Sequence, residues 1–151
     1  MFREIDYFDF NQEPGKQKND RKLVNDGKPL ISIITPYYNA KKYIQQTANS
    51  IFNQTFPYWE WIIVNDGSTD DQTDKILEDI RKQDSRIKVL NQKNAGPAAA
   101  RYYAAENATS DILLQLDADD VIDKTLLECG YWTLCTNPKA TWAYADNLRI
   151  W

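Results

Sequence analysis

Apolar residues fall along this chain in short runs that alternate with amphipathic stretches. LISIIT (30–35) is apolar and β-branched and ends at Pro36, the pattern of a buried strand. AKKYIQQTANSIFNQ (40–54) places Tyr43, Ile44, Thr47, Ala48, Ile51 and Phe52 on one helical face, with Asn39 as its N-cap. WEWIIVN (59–65) predicts a second strand, and residues 70–84 a helix with Ile76, Leu77 and Ile80 facing inward. RIKVLN (86–91) predicts a third strand, and 97–107 an alanine-rich helix able to pack closely. DILLQLD (111–117) predicts a fourth strand, a helix opens at 124–129, and ATWAYAD (140–146) predicts a last strand. Residues 1–29 break this rhythm. They are polar, of mixed charge and without period, and predict an N-terminal arm ahead of one domain spanning 30–151.

Strand and helix thus alternate about four times. That alternation predicts an α/β fold: a mostly parallel sheet with helices on both faces, joined by right-handed crossovers. Ligands of such sheets bind beyond the carboxyl ends of the strands, near the switch in strand order. The segments to inspect are therefore TPYYN (35–39), NDGSTDD (65–71), NQKNAGP (91–97) and DADD (117–120).

Composition narrows the chemistry. A net charge of −4 argues against a nucleic-acid surface, which needs clustered Lys and Arg. No apolar run approaches a membrane span, and Met1–Phe10 lacks the apolar core of a signal peptide. Two cysteines make no disulfide framework, so a cytoplasmic setting is expected. The chain has no histidine, which removes His-based triads and His metal ligands and leaves oxygen ligands for any metal. Aromatic residues reach 13% and gather at 56–61, 131–134 and 142–151. They fit core packing, or stacking on a base or sugar.

At the fourth exit Asp117 and Asp119 are two apart and point the same way in an extended segment. Two carboxylates about 5 Å apart repel by about 3 kcal/mol at an effective dielectric near 20. A proton, an Arg or a cation must relieve this, and Mg²⁺ or Mn²⁺ suits such oxygens together with a substrate's phosphates. Asp123 reads as a cap for the following helix. Asp66 is the least structural member of its turn, since Ser68–Asp70 suffice to cap the next helix. Pro97 opens a helix whose N-terminus favours an anion, and Arg101, one turn in, can face the carboxylates or a phosphate.

With these exits in order, the chain resembles the nucleotide-binding half of the family 2 inverting glycosyltransferases, of the GT-A, Rossmann-like fold. ISIITPYYNAKKYIQQTANSIFNQTF (31–56), WIIVNDGSTDDQTDKIL (61–77), NQKNAGPAAAR (91–101) and DILLQLDADDVI (111–122) carry the resemblance. It implies a nucleotide-sugar donor, commonly UDP-linked, a divalent metal (Mn²⁺ or Mg²⁺), and a glycan or other hydroxyl acceptor, in polysaccharide biosynthesis. By that resemblance Thr35, Pro36 and Tyr37 border the base and Asp66 accepts from its N3–H. Asp117 lies near the ribose, Asp119 of the DxD holds the metal with Asp120 as an alternative ligand, and Gly96, Arg101 and Ala118 complete the donor site. The small-residue run before Arg101 usually ends in Arg-Asn; here Tyr102 follows.

The family's catalytic base and most of its acceptor site come after the strand near 140–146, so the base is expected beyond Trp151 and not at Asp146. The later acidic pair and the Gln-Arg-Trp signature of processive synthases are absent. The expectation is a donor half without its acceptor half, cytoplasmic or peripheral at the inner face of the membrane in the intact protein. Two alternatives stay open: a non-catalytic nucleotide-binding module, and a haloacid-dehalogenase-like phosphatase with Asp117 as nucleophile and Asp119 as acid/base.

Overall fold

The computed structural model describes residues 27–137 and 139–145. Four strands, β1 (Ile31–Tyr37), β2 (Trp59–Asp66), β3 (Ile87–Gln92) and β4 (Leu113–Gln115), alternate with four helices, α1 (Ile44–Phe52), α2 (Thr73–Gln83), α3 (Pro97–Glu106) and α4 (Leu126–Thr136). All strand pairs are parallel, in the order β3-β2-β1-β4. The chain builds outward from β1 through β2 to β3, then returns to the other side of β1 for β4. The switch in strand order therefore lies between β1 and β4, where such sheets bind ligands.

Each face of the sheet takes one register of the strands. Ile31, Ile33, Trp61 and Ile63 meet Ile44, Ala48 and Ile51 of α1, Leu77 and Ile80 of α2 and Leu127 of α4 in the larger core. Ile34, Ile62 and Val64 meet Ala100 and Ala104 of α3 on the opposite face. Alanine at those two positions lets the helix lie close to the sheet. Fully burying an Ile or Leu contributes about 2 kcal/mol, so β1 and β2, buried on both faces, anchor the domain. Among the described residues, more than half of the aromatic side chains belong to this packing: Phe56 meets the edge of Tyr58 and lies 5.0 Å from Tyr131, while Arg86 covers Trp59 at 3.5 Å.

Three expectations need correction. Asn39 does not cap α1, whose first turn follows Tyr43 without a side-chain cap. It adopts a positive φ of 50°, which Asn tolerates, and turns its amide to the next loop. There Oδ1 accepts the Thr69 and Asp70 N–H groups and Nδ2 donates to Thr69. Second, residues 140–145 form no strand, because a strand needs a hydrogen-bonded neighbour and this segment pairs with none of the four. Trp142 and Tyr144 stack on each other there and stay exposed. Third, the fourth strand is shorter than expected, three residues at the sheet edge. Most of the N-terminal arm (1–26) and Asp146 lie outside the described residues.

Candidate functional site

The four strand exits converge on one open cleft of about 480 Å³ at the carboxyl edge of the sheet. The β1 exit supplies Pro36, Tyr37, Tyr38 and Ala40; Asp66 closes β2; Asn94, Gly96, Pro97 and Arg101 come from β3–α3; Asp117, Ala118 and Asp119 follow β4. Eight of the residues expected from sequence line it together. A second groove of similar size, between α2 and β3, is lined by Asp74, Glu78 and Arg81 and touches the strand exits implicated above only at Asn91.

Thr35 is not among the lining residues. It is fully buried on the α1 face, and its hydroxyl accepts the indole N–H of Trp61 at 2.8 Å, so it supports the cleft from behind. Tyr37 reaches the cleft wall, but its side chain is buried and its hydroxyl bonds Thr73 at 3.2 Å. Burial raises its phenol pKa; the Thr73 bond opposes this and the charge of Asp70 adds to it. The aromatic ring open to the cleft belongs instead to Tyr38, 50% exposed. Strand alternation explains the exchange. Residues 31, 33, 35 and 37 share the core face, and the chain is released from it only after Tyr37. Tyr38 and Asn94 carry no chemical signature in the sequence beyond standing at an exit.

Asp66 is also more structural than its sequence context implies. It is 3% exposed, and its carboxylate accepts from Gln92 Nε2 at 2.7 Å and from the Ala95 and Gly96 N–H groups at 2.8 and 2.9 Å. Burial pushes its pKa up, but the three hydrogen bonds outweigh burial and hold it below the ordinary range. The same carboxylate that faces the cleft therefore ties down the loop leading into α3. Gly67 beside it has φ +66°, and a Cβ there would sit 2.7 Å from the Asn94 nitrogen, so only glycine lets these two loops meet.

The DADD segment is held from three sides. Thr47, buried in α1, donates to the Ala118 carbonyl at 3.0 Å, and the Asp120 N–H donates to the Asp117 carbonyl at 3.1 Å. Arg101 forms an ion pair with Asp117, so an Arg relieves one member of the acidic cluster. The Arg101 Nε, buried and unpartnered, is left over in the cleft wall. Asp119 is exposed at the cleft. Asp120 lies outside the lining, and its pKa is raised by burial first, then by the charges of Asp117 and Asp119. Asp123 accepts the Thr125 N–H and hydroxyl at 2.8 and 2.6 Å, closing the turn before α4. Tyr102 stands on the solvent side of α3, bonded to Glu106.

No three ligating side chains converge on one point among the described residues. The donors present, the exposed carboxylates of Asp119 and Asp120 in a cluster where Arg101 neutralises only Asp117, fit a hard divalent ion that takes its remaining ligands from water or phosphate. They do not fit a closed structural site. No helix among the described residues is long and apolar enough to cross a membrane.

Comparison with known proteins agrees with this arrangement. TuaG of Bacillus subtilis, which bears the name of a teichuronic acid biosynthesis glycosyltransferase, is 47% identical over 102 residues, 67% of this chain and 40% of its own length. S. aureus TarS 1–349, solved with UDP and with UDP-GlcNAc, superposes with a TM-score of 0.66 over 72% of this chain and 32% of its own. Sequence identity to it is 34% in the UDP complex. The mannosyltransferase PcManGT of Pyrobaculum calidifontis, solved with GDP-Man and Mn²⁺, superposes with a TM-score of 0.57 at 25% identity, over 62% of this chain and 28% of its own. The chain thus spans well under half the length of these relatives. The model of glycosyl transferase family 2 matches residues 32–142, and this chain belongs to that family.

Proposed function

We propose that this chain is the donor-binding part of an inverting glycosyltransferase that takes a nucleoside-diphosphate sugar, UDP-linked, and passes the sugar to a hydroxyl of a growing glycan. The observation that carries the reading is the convergence of Asp66, Arg101, Asp117 and Asp119 from three different strand exits on one cleft. Pro36 and Tyr38 flank the base, which donates its ring N–H to Asp66. Asp117, oriented by Arg101, meets the ribose, while Gly96 and Ala118 let the ligand approach the backbone closely. Asp119 holds Mn²⁺ or Mg²⁺, with Asp120 beside it. Such an ion, when bound, neutralises charge on the departing diphosphate.

Reaction is a single displacement. The acceptor oxygen forms a bond to the anomeric carbon, the bond to the diphosphate breaks on the opposite face, and a carboxylate base outside the donor cleft takes the hydroxyl proton. The enzyme works on the cytoplasmic side, peripheral to the membrane. The phosphatase alternative loses support, because Asp117 is engaged by Arg101 and stands after the fourth strand, not the first.

Calorimetric titration with UDP, with Mn²⁺ present or chelated, tests the site. Metal-dependent binding that Asp119→Ala abolishes is expected; equal binding in EDTA removes the metal role. Release of free sugar from UDP-sugars by this chain, or its absence, separates a competent transferase from a nucleotide-binding module.

A further inference from the structure

The acidic loop of the cleft begins where the sheet can no longer hold it. The Leu116 N–H donates to the Ile34 carbonyl at 3.1 Å, and the next rung would come from residue 36, which is Pro and has no N–H. Past that point the loop is tied to α1. Thr47, fully buried on α1 and not part of the cleft lining, donates its hydroxyl to the Ala118 carbonyl at 3.0 Å, 71 positions along the chain. Ser50 on the same helix shows the alternative: its hydroxyl donates back into α1, to the Thr47 carbonyl at 2.7 Å. Gln54, just past α1, fastens the far end of the loop, donating to the Asp123 carbonyl at 2.7 Å and accepting the Leu127 N–H at 3.1 Å.

The Ala118 carbonyl shares one peptide plane with the N–H and Cα of Asp119. The Ala118 side chain packs in the larger core, so the direction of its carbonyl, set by Thr47, decides how Asp119 leaves the loop. Granted the donor and metal reading above, we propose that Thr47 is a positioning residue for the divalent ion: through the Ala118 peptide, its hydroxyl aims the Asp119 carboxylate into the cleft. Without that hydroxyl the Ala118 carbonyl loses its donor and the peptide is free to rotate, while Gln54 keeps the loop attached to the domain. The ion site loosens and the fold stays. Loss of a group that orients a metal ligand weakens metal affinity about tenfold to a hundredfold.

The test is calorimetric titration of the 151-residue chain with UDP over a series of Mn²⁺ concentrations, for the native sequence, Thr47→Val and Thr47→Ser. Valine keeps the branched shape without the hydroxyl, and serine keeps the hydroxyl without the methyl. Thr47→Val is expected to need at least about tenfold more Mn²⁺ for half-maximal UDP binding, and Thr47→Ser to stay near the native requirement. In the metal-free chains the Asp119 amide nitrogen resonance should move in Thr47→Val and hold its native position in Thr47→Ser. If Thr47→Val does not fold, Thr47→Ala removes the same hydroxyl and supplies the comparison. A native Mn²⁺ requirement or an unmoved Asp119 resonance without the hydroxyl overturns the positioning role and leaves the metal site standing. Equal losses in the valine and serine variants make Thr47 a packing residue and overturn it too. UDP binding by the native chain that ignores Mn²⁺ overturns the ion's role, and no UDP binding overturns the donor site itself; either takes this inference with it.

Discussion

Two carboxylates show how residues of one chemical type divide their work. Asp66 and Glu60 both belong to β2, at opposite ends, and both are nearly fully buried. Glu60 accepts from Ser32, from the N–H and hydroxyl of Thr109, and from Lys88 at 2.8 Å, pinning the loop before β4 to the amino edge of the sheet. Burial pushes its pKa up, but these donors prevail and bring it down to about 2, from 4.5. A folded pKa below the unfolded one stabilises above the unfolded value. That stability is lost as pH falls from about 4.5 towards 2. The shift corresponds to about 3 kcal/mol at neutral pH. Glu60→Gln is therefore expected to lower urea stability markedly at pH 7, with the gap to the native chain narrowing by pH 3. An unchanged gap across that range would contradict the assignment. None of this was visible in WEWIIVN, where Glu60 reads as the polar member of an apolar run.

Among the elements, the loops carry more of the site than the helices and strands they join. The β1–α1 and β2–α2 loops are clamped together by Asn39, and the β2–α2 and β3–α3 loops meet where Gly67 passes Asn94. Gly67→Ala combines a left-handed backbone with a clash against backbone, which costs about 2 kcal/mol or more. Because the displaced loop carries the Ala95 and Gly96 N–H groups that hold Asp66, UDP affinity should fall along with stability. Urea unfolding and UDP titration of the same variant check this; native UDP affinity in a destabilised protein would show the two loops to be independent. The helices were legible in sequence through their period. Their caps were not, because Asn39 suits a cap equally well on its own helix or across the gap, and only packing chooses.

At the scale of the whole molecule, every strand ends at the cleft or one residue short of it, so ligand and fold are linked. A ligand that binds only the folded state at about 100 times its Kd stabilises by about 2.7 kcal/mol. UDP with Mn²⁺ is expected to raise the thermal midpoint of the native chain by several degrees and to leave that of Asp119→Ala unmoved. A shift of equal size in the variant would place the ion's contribution elsewhere.

The sequence by itself determined the alternation of strands and helices and the chemistry at each strand exit. Both are local: apolar period fixes the element, and Gly, Pro, Asp and Asn mark where it stops. It over-read ATWAYAD, because β propensity makes a strand only beside a partner. Tertiary structure alone decided the order β3-β2-β1-β4, and with it the switch point that gathers residues 36 to 119 into one cleft. It also decided which exit residues face that cleft. Thr35 turns to Trp61, Tyr38 joins the buried Tyr37 at the cleft with the more exposed ring, and Arg101 reaches Asp117 across 16 positions of sequence. These are pairings between distant segments, set by how the sheet packs, and no local pattern encodes them.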